Sequence, residues 1–440
     1  MRGMIRLLMA CYVLLTGSAV VFVEGSERPP NIIFVLADDL GVGNVGCYGS
    51  DRYRTPHIDR LAETGLRYTR CFTAPLCGPS RALIMTGRYA FRTGATNQDR
   101  VGRLKTADEV MLPAYLKQAG YCTGAFGKWN QLPLQPSDWG FDEYLRFSGS
   151  GVYRNTDGKV ESYVVNGETR RLQADQYMPD LLHQQVKDFI GRHRDQPFFV
   201  YYSMSSVHGE LLPTPDSPAV GADLMADNVR YMDKLIGQLV SELRQQKLLE
   251  STVIVFMGDN GTGKAQSDSA TIGGRRLVGQ KGTMQEGGGL VPLIVSWPGV
   301  IAGGRVADGV MDSSDFVPTF AELCGVSLPT DRVIDGRSLL AQWRGQQASH
   351  RDWAFVQLAR NWYVREAQWK LNQAGELFDM SGAPYAEQLV LRESDTSVSG
   401  QARQRLQAVL DRLNPAGGIL DDGDGSGRHA GRDSKGKSGD

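Results

Sequence analysis

Four stretches of this chain are apolar at nearly every position, rather than at every second or third. They are 31–37 (Asn-Ile-Ile-Phe-Val-Leu-Ala), 197–202 (Pro-Phe-Phe-Val-Tyr-Tyr), 252–257 (Thr-Val-Ile-Val-Phe-Met) and 292–297 (Pro-Leu-Ile-Val-Ser-Trp). Runs this short and this apolar describe strands covered on both faces. Between them the period changes. From Tyr177 to Arg192, Leu181, Leu182, Val186, Phe189 and Ile190 fall near one helical face, and from Asp227 to Leu249, Tyr231, Leu235, Leu239 and Leu243 recur four apart. Strands alternating with helices predict an α/β fold built on a doubly wound, mostly parallel sheet. Ligands of such sheets lie beyond the carboxyl ends of the strands, so the polar residues that end each run are where chemistry is expected.

Near residue 335 the pattern shifts. The short runs 353–358, 362–365 and 369–371 predict a small C-terminal antiparallel α+β subdomain closed by a helix over about 401–413. The organisation expected is a catalytic domain over 30–334, the subdomain over 335–415, and a tail over 416–440. Gly, Ser and charge dominate that tail, with almost nothing to bury, and predict disorder. At the other end, Arg2 and Arg6 precede an apolar run from Leu7 to Val23, then Glu24 to Glu27. This reads as a signal peptide over 1–25 and implies export: periplasmic or extracellular, or a lysosome-like compartment in a eukaryote. A membrane anchor is the competing reading, since the run approaches spanning length. No later segment predicts a membrane span.

Charge and cysteine content narrow the classes. The chain has 440 residues, 48 basic against 49 acidic, so nothing favours nucleic acid or an anionic membrane as partner. Of six cysteines, Cys11 lies in the leader. Cys47, Cys71, Cys77, Cys122 and Cys324 are odd in number and lack a CxxC spacing, which indicates neither a zinc site nor a disulfide framework.

One cysteine stands in a chemical context. In Cys77-Gly78-Pro79-Ser80-Arg81, Pro79 suits a first helical position with Gly78 as cap, and Ala82 to Met85 continues as helix. Cys77 would then face a helix N-terminus, where free amides favour anions, and Arg81 could offer its planar fork to an oxyanion. A buried structural cysteine and a thiolate nucleophile remain open; a phosphatase-type cradle needs a longer Cys-to-Arg spacing than the three residues here. Asp38 and Asp39 end one buried strand, Asp259 and Asn260 another. Four oxygen donors at one sheet edge suit a hard cation, calcium or magnesium; as isolated pairs they could equally turn the chain.

The motif C-x-P-S-R, with Pro30-Asn31 to Gly41, Thr55 to Ala62, Gly127-Lys128-Trp129, Gly258 to Gly261, Lys281 to Gly288 and Glu376 to Met380, resembles the formylglycine-dependent, arylsulfatase-like sulfatases of the alkaline phosphatase superfamily, in that family's order. The resemblance implies an alkaline phosphatase-like fold and hydrolysis of sulfate monoesters, on a sulfated small molecule or polysaccharide or an aryl sulfate. It implies Cys77 oxidised to formylglycine by a formylglycine-generating enzyme, and one calcium held by Asp38, Asp39, Asp259, Asn260 and the modified Cys77, magnesium fitting less well. As a hydrate, formylglycine has two hydroxyls: one attacks sulfur, and the other expels sulfate by collapse to the aldehyde. Arg81, Lys128 and Lys281 would supply fixed positive charge, and His208 the proton for the departing alcohol. Two positions depart from the family pattern: Asn130 stands for a histidine and Leu290 for an arginine. Other readings are a phosphonate or phosphate ester hydrolase of the same superfamily, or an inactive relative that binds sulfated glycans.

Overall fold

The computed structural model describes residues 28–129, 132–147, 149, 151–220 and 223–423. The expected signal peptide and Asn130 lie outside these residues. In chain order the strands are β1 (Asn31–Ala37), β2 (Leu66–Phe72), β3 (Cys122–Lys128), β4 (Glu143–Phe147), β5 (Ser162–Val165), β6 (Glu168–Arg171), β7 (Phe198–Ser203), β8 (Thr252–Gly258), the short hairpin β9 (Thr271–Ile272) and β10 (Arg275–Arg276), then β11 (Leu290–Ser296) and β12 (Arg305–Asp312). Except for the hairpin, these form one ten-stranded sheet in the order β12-β2-β11-β8-β1-β7-β3-β4-β5-β6. Its centre, β8-β1-β7-β3-β4, is parallel throughout; β11 pairs antiparallel with both β8 and β2, and β5 with both β4 and β6.

The continuous apolar runs have the cause read from sequence: the two faces of the sheet meet different cores. Along β1, Ile32, Phe34 and Leu36 join one cluster with Met111, Leu116, Phe316 and Trp343. Ile33, Val35 and Ala37 join another with Ile58, Val186, Phe189, Leu235 and Leu239. The helices Leu112–Gln118 and Phe316–Leu323 therefore cover one face, and Pro56–Glu63, Met178–His193 and Leu224–Gln245 the other. The last two lie within a few residues of the helices expected over 177–192 and 227–249. This is the expected doubly wound α/β architecture.

The C-terminal sheet runs β13 (Trp353–Leu358), β14 (Asn361–Glu366), β15 (Trp369–Asn372), β16 (Leu377–Asp379), β17 (Gln388–Val390), all antiparallel. Helix Ser397–Leu413 packs on it through Ala402, Leu406 and Leu410. The expectation of disorder from 416 needs correction over 416–423. There the chain turns back: Ile419 N donates to Phe91 O (2.7 Å), and the buried Asp421 carboxylate accepts from Thr96 Oγ1 (2.7 Å). Hydrogen bonds order this stretch, while Ile419 and Leu420 stay about half exposed.

Candidate active site

Parallel pairing brings the strand ends together. Ala37 lies opposite Gly258, so Asp38-Asp39 and Asp259-Asn260 leave adjacent strands side by side, all four at most 7% exposed. Asp259 N donates to Ala37 O (2.9 Å), Asp39 N to Asp259 Oδ1 (3.0 Å) and Asn260 Nδ2 to Asp39 Oδ1 (2.9 Å). Asp39 has φ +60°, a left-handed conformation that aspartate enters more readily than most residues.

β2 ends at the same edge and leads to the helix Cys77–Thr86. This helix begins at Cys77 itself, with Leu76 as N-cap and Pro79 third. The expected start at Pro79 is thus two residues late; proline fits anywhere in a first turn, where its missing N–H leaves no hydrogen bond unmade. Cys77 Sγ lies 3.5 Å from Asp38 Oδ1 and 3.8 Å from Asp39 Oδ1. Burial pushes its thiol well above the ordinary value, and the carboxylates of Asp259, Asp38 and Asp39 add to this against Lys128. Without a cation beside it, that environment disfavours a thiolate.

Lys128 closes β3, one strand beyond β7. Its Nζ meets Asp38 Oδ2 at 2.5 Å with no solvent exposure of either side chain. Gly127 before it, at φ +121°, passes so close to β7 that a Cβ would lie 1.7 Å from Ser203 O; a side chain there would drive the lysine's strand off its neighbour. Burial lowers the Lys128 pKa, but Asp38 and other anions outweigh it, so the ammonium is held above its usual value.

Lys281 comes from a segment before a strand, not after one. It reaches the same edge because β11 is antiparallel and therefore begins there. Its Nζ lies 2.5 Å from Asp39 Oδ1, and its loop is pinned by Lys281 N to Thr262 O (3.0 Å) and Gly282 N to Pro75 O (2.7 Å). The subdomain holds the far end of this loop: Arg365 grips Glu286 through Nε (3.0 Å) and Nη2 (2.8 Å), and Glu387 accepts from Glu286 N (2.7 Å). Leu290 opens β11 as a buried apolar residue.

Arg81 is brought to the site, but its expected task changes. Instead of a fork left open for an oxyanion, Nε (3.1 Å) and Nη2 (2.8 Å) both donate to Asp259 Oδ2, and Nη1 donates to Lys128 O (3.1 Å) and Ser203 Oγ. A guanidinium with no exposure needs such partners; it aligns a carboxylate and the backbone of Lys128. His208, after β7, places Nε2 3.4 Å from Asp39 Oδ2, while Nδ1 is buried without a partner among the described residues. Burial lowers its pKa, Lys128 and Lys281 assist, and the nearby aspartates oppose.

Every sequence-assigned site residue, from Asp38 to Lys281, therefore gathers at one edge. Residues not anticipated are Ser203, Tyr201, Gln98, Glu286 and Arg365. Ser203 was detectable, as the polar residue ending an apolar run. Gln98, whose Oε1 accepts from Gly78 N (3.1 Å), carries no local signal, because its role arises from loop packing. One ligand atom each from Asp38, Asp39, Cys77 and His208 lies within 4.8 Å of the others. The donors also suit a hard cation: three carboxylates converge with Asn260, whose Oδ1 is buried with no donor among the described residues.

A doubly wound sheet whose strand ends gather carboxylates and buried cations around a helix-terminal residue suits hydrolysis of an anionic ester. Comparison with known proteins narrows the class. The family described as Sulfatase matches residues 30–326. The N-acetylgalactosamine-6-sulfatase of Canis lupus familiaris is 31% identical over 363 residues, covering 74% of this chain and 68% of that protein. The steryl-sulfatase of Rattus norvegicus is 29% identical over 447 residues, covering 79% and 76%. Among solved structures, Ps i-CgsB in complex with k-i-k-neocarrahexaose superposes with a TM-score of 0.73 at 27% identity, covering 88% of this chain and 92% of that one. The chain belongs to the sulfatase family and is a sulfuric ester hydrolase. No helix among the described residues is long and apolar enough to cross a membrane.

Proposed function

We propose that this enzyme is an exported hydrolase of sulfated carbohydrates that acts through formylglycine at position 77 and one calcium ion. The observation that carries the reading is the buried Cys77 Sγ at the start of its helix, 3.5 and 3.8 Å from Asp38 and Asp39. Oxidised to an aldehyde hydrate, this residue would present oxygen beside the donors that suit a cation. Formylglycine, as a hydrate, supplies an oxygen nucleophile and a second hydroxyl for sulfate release.

Asp38, Asp39, Asp259 and Asn260 would hold the cation, which supplies Lewis-acid charge. The three carboxylates already face three buried cations, Lys128, Lys281 and Arg81. A divalent ion therefore leaves the pocket net positive, which suits an anionic ester. Lys128 and Lys281 stabilise charge growing on the sulfate oxygens. Arg81 orients Asp259 and the Lys128 carbonyl. His208 donates the proton that the departing sugar hydroxyl requires. The carbohydrate class is supported by the relative named N-acetylgalactosamine-6-sulfatase and by the neighbour in complex with k-i-k-neocarrahexaose. Export is supported by the leader-like N-terminal sequence.

The test is mass spectrometry of the peptide containing residue 77, joined to a turnover panel. Conversion lowers the peptide mass by about 18 Da. Sulfate release is expected from sulfated oligosaccharides, with p-nitrophenyl sulfate cleaved faster than p-nitrophenyl phosphate. An intact thiol in active enzyme refutes the nucleophile. Phosphate preferred over sulfate, or no sugar desulfated across the panel, refutes the substrate class.

A further inference from the structure

The 416–423 segment, which sequence composition marks as having little to bury, contains a buried carboxylate. Asp421 is 5% exposed. One of its oxygens accepts from Thr96 Oγ1 (2.7 Å) and Asn97 Nδ2, the other from Gly423 N (2.7 Å). Asp422 beside it pairs with Arg100, and Arg360 Nε donates to Asp421 O (3.2 Å). Burying a carboxylate is unfavourable unless it is well hydrogen-bonded, so these donors define a built attachment, not an incidental contact.

What it attaches is a single loop. Asn97 is the knot: its Nδ2 reaches Asp421, while its Oδ1 accepts from Asp99 N (2.9 Å) and Arg100 N (2.8 Å). That turn presents Gln98, whose Oε1 accepts from Gly78 N. The helix starting at Cys77 has no side-chain cap from Leu76, so Gln98 caps it from another segment. Packing is tight here as well: a Cβ on Gly78 would lie 3.0 Å from Gln98 Oε1 and 3.2 Å from Val101 Cγ2. A continuous set of contacts thus runs from Asp421 through Asn97 and Gln98 to the residue next to position 77.

We propose that Asp421 is a positioning residue for the reaction centre: it fastens the loop around Asn97 so that Gln98 holds the first turn of the helix bearing residue 77. Its catalytic readout rests on the sulfatase reading of that residue; its structural readout does not. Asp421→Ala is expected to lower kcat on p-nitrophenyl sulfate on the order of tenfold, since small displacements of a nucleophile are expensive in rate. Residue 77 should remain fully converted. Amide hydrogen exchange should quicken in the peptide spanning 76–82. If Asp421 acts through Gln98, the Asp421→Ala/Gln98→Ala pair loses no more activity than Gln98→Ala alone.

Additive losses in that cycle, or unchanged exchange over 76–82 in Asp421→Ala, overturn the proposal. If Asp421→Ala does not fold, Asp421→Asn keeps the shape and one acceptor and should show the same effects, smaller; an Asp421→Asn protein unaltered in both kcat and exchange overturns it too. Wild-type enzyme carrying only thiol at position 77 refutes the formylglycine reading alone, and the exchange comparison still decides the role of Asp421.

Discussion

Replacing Lys128 with methionine would keep the length of the side chain and delete its charge. The lysine Nζ sits 2.5 Å from Asp38 Oδ2, and neither side chain touches solvent, so water cannot take its place. Removing one member of a buried pair costs about 3–5 kcal/mol, mainly because the partner charge is left uncompensated. Arg81 Nη2 remains 3.8 Å from the same Asp38 oxygen, which places Lys128→Met near the lower end, about 3 kcal/mol of unfolding free energy. Activity should fall separately. Loss of one fixed positive group aimed at developing charge reduces kcat on the order of 10²–10³-fold. Denaturant titration at neutral pH measures the first quantity. Steady-state turnover of p-nitrophenyl sulfate measures the second, with mass spectrometry confirming that residue 77 is still converted. A folded, fully converted variant with kcat within about threefold of wild type would refute the assignment of Lys128 to the reacting charge, because electrostatic stabilisation of this kind is not that small. A stability loss without a rate loss would leave the lysine as counter-ion to Asp38 and nothing more.

Two further outcomes are expected. His183 is buried, both ring nitrogens lack partners among the described residues, and burial, with Lys187 adding to it, lowers its pKa to about 4. The unfolded chain takes up that proton near pH 6.5, so stability is full above this value and falls by about 3 kcal/mol as pH drops to about 4. His183→Leu should flatten this part of the pH–stability curve, and an unchanged slope in denaturant titrations from pH 7 to 4 counts against the explanation. Arg365→Met, which strips the buried Glu286 of both its hydrogen bonds from the subdomain, should cost about 3 kcal/mol or more. It should also slow turnover by loosening the loop of Lys281. Thermal unfolding and kcat measured on one preparation test both parts, and a stable variant with normal kcat would show that Arg365 does not hold that loop.

Much of the site was legible because the chemistry sits where strands end. A run such as 31–37 or 252–257 announces a buried strand, and the first acids after it must lie at the sheet edge; the pairing of β1 with β8, which brings Asp38 and Asp39 to Asp259 and Asn260, came from the structure. Cys77 and Arg81 were legible from motif spacing. What Arg81 does was not, because a side chain with five donors finds its partners among residues brought from β3, β7 and β8. Gln98 was invisible for the same reason. Asp421 was misread outright: composition measures apolar content, and its segment is held by polar contacts to residues more than 300 positions earlier in the chain.

Local pattern by itself determined that this chain makes a doubly wound sheet with a small antiparallel appendage, because hydrophobic period and strand length depend only on neighbouring residues. It also determined the types of group available for catalysis. Tertiary structure alone decided that β11 runs against its neighbours and so delivers Lys281 to the same edge as Lys128. It also decided that the Cys77 thiol is buried among carboxylates and that the C-terminal segment returns to the loop of Thr96 and Asn97. Direction of pairing, desolvation and long-range hydrogen bonds depend on which distant segments meet, and no window of sequence contains that information.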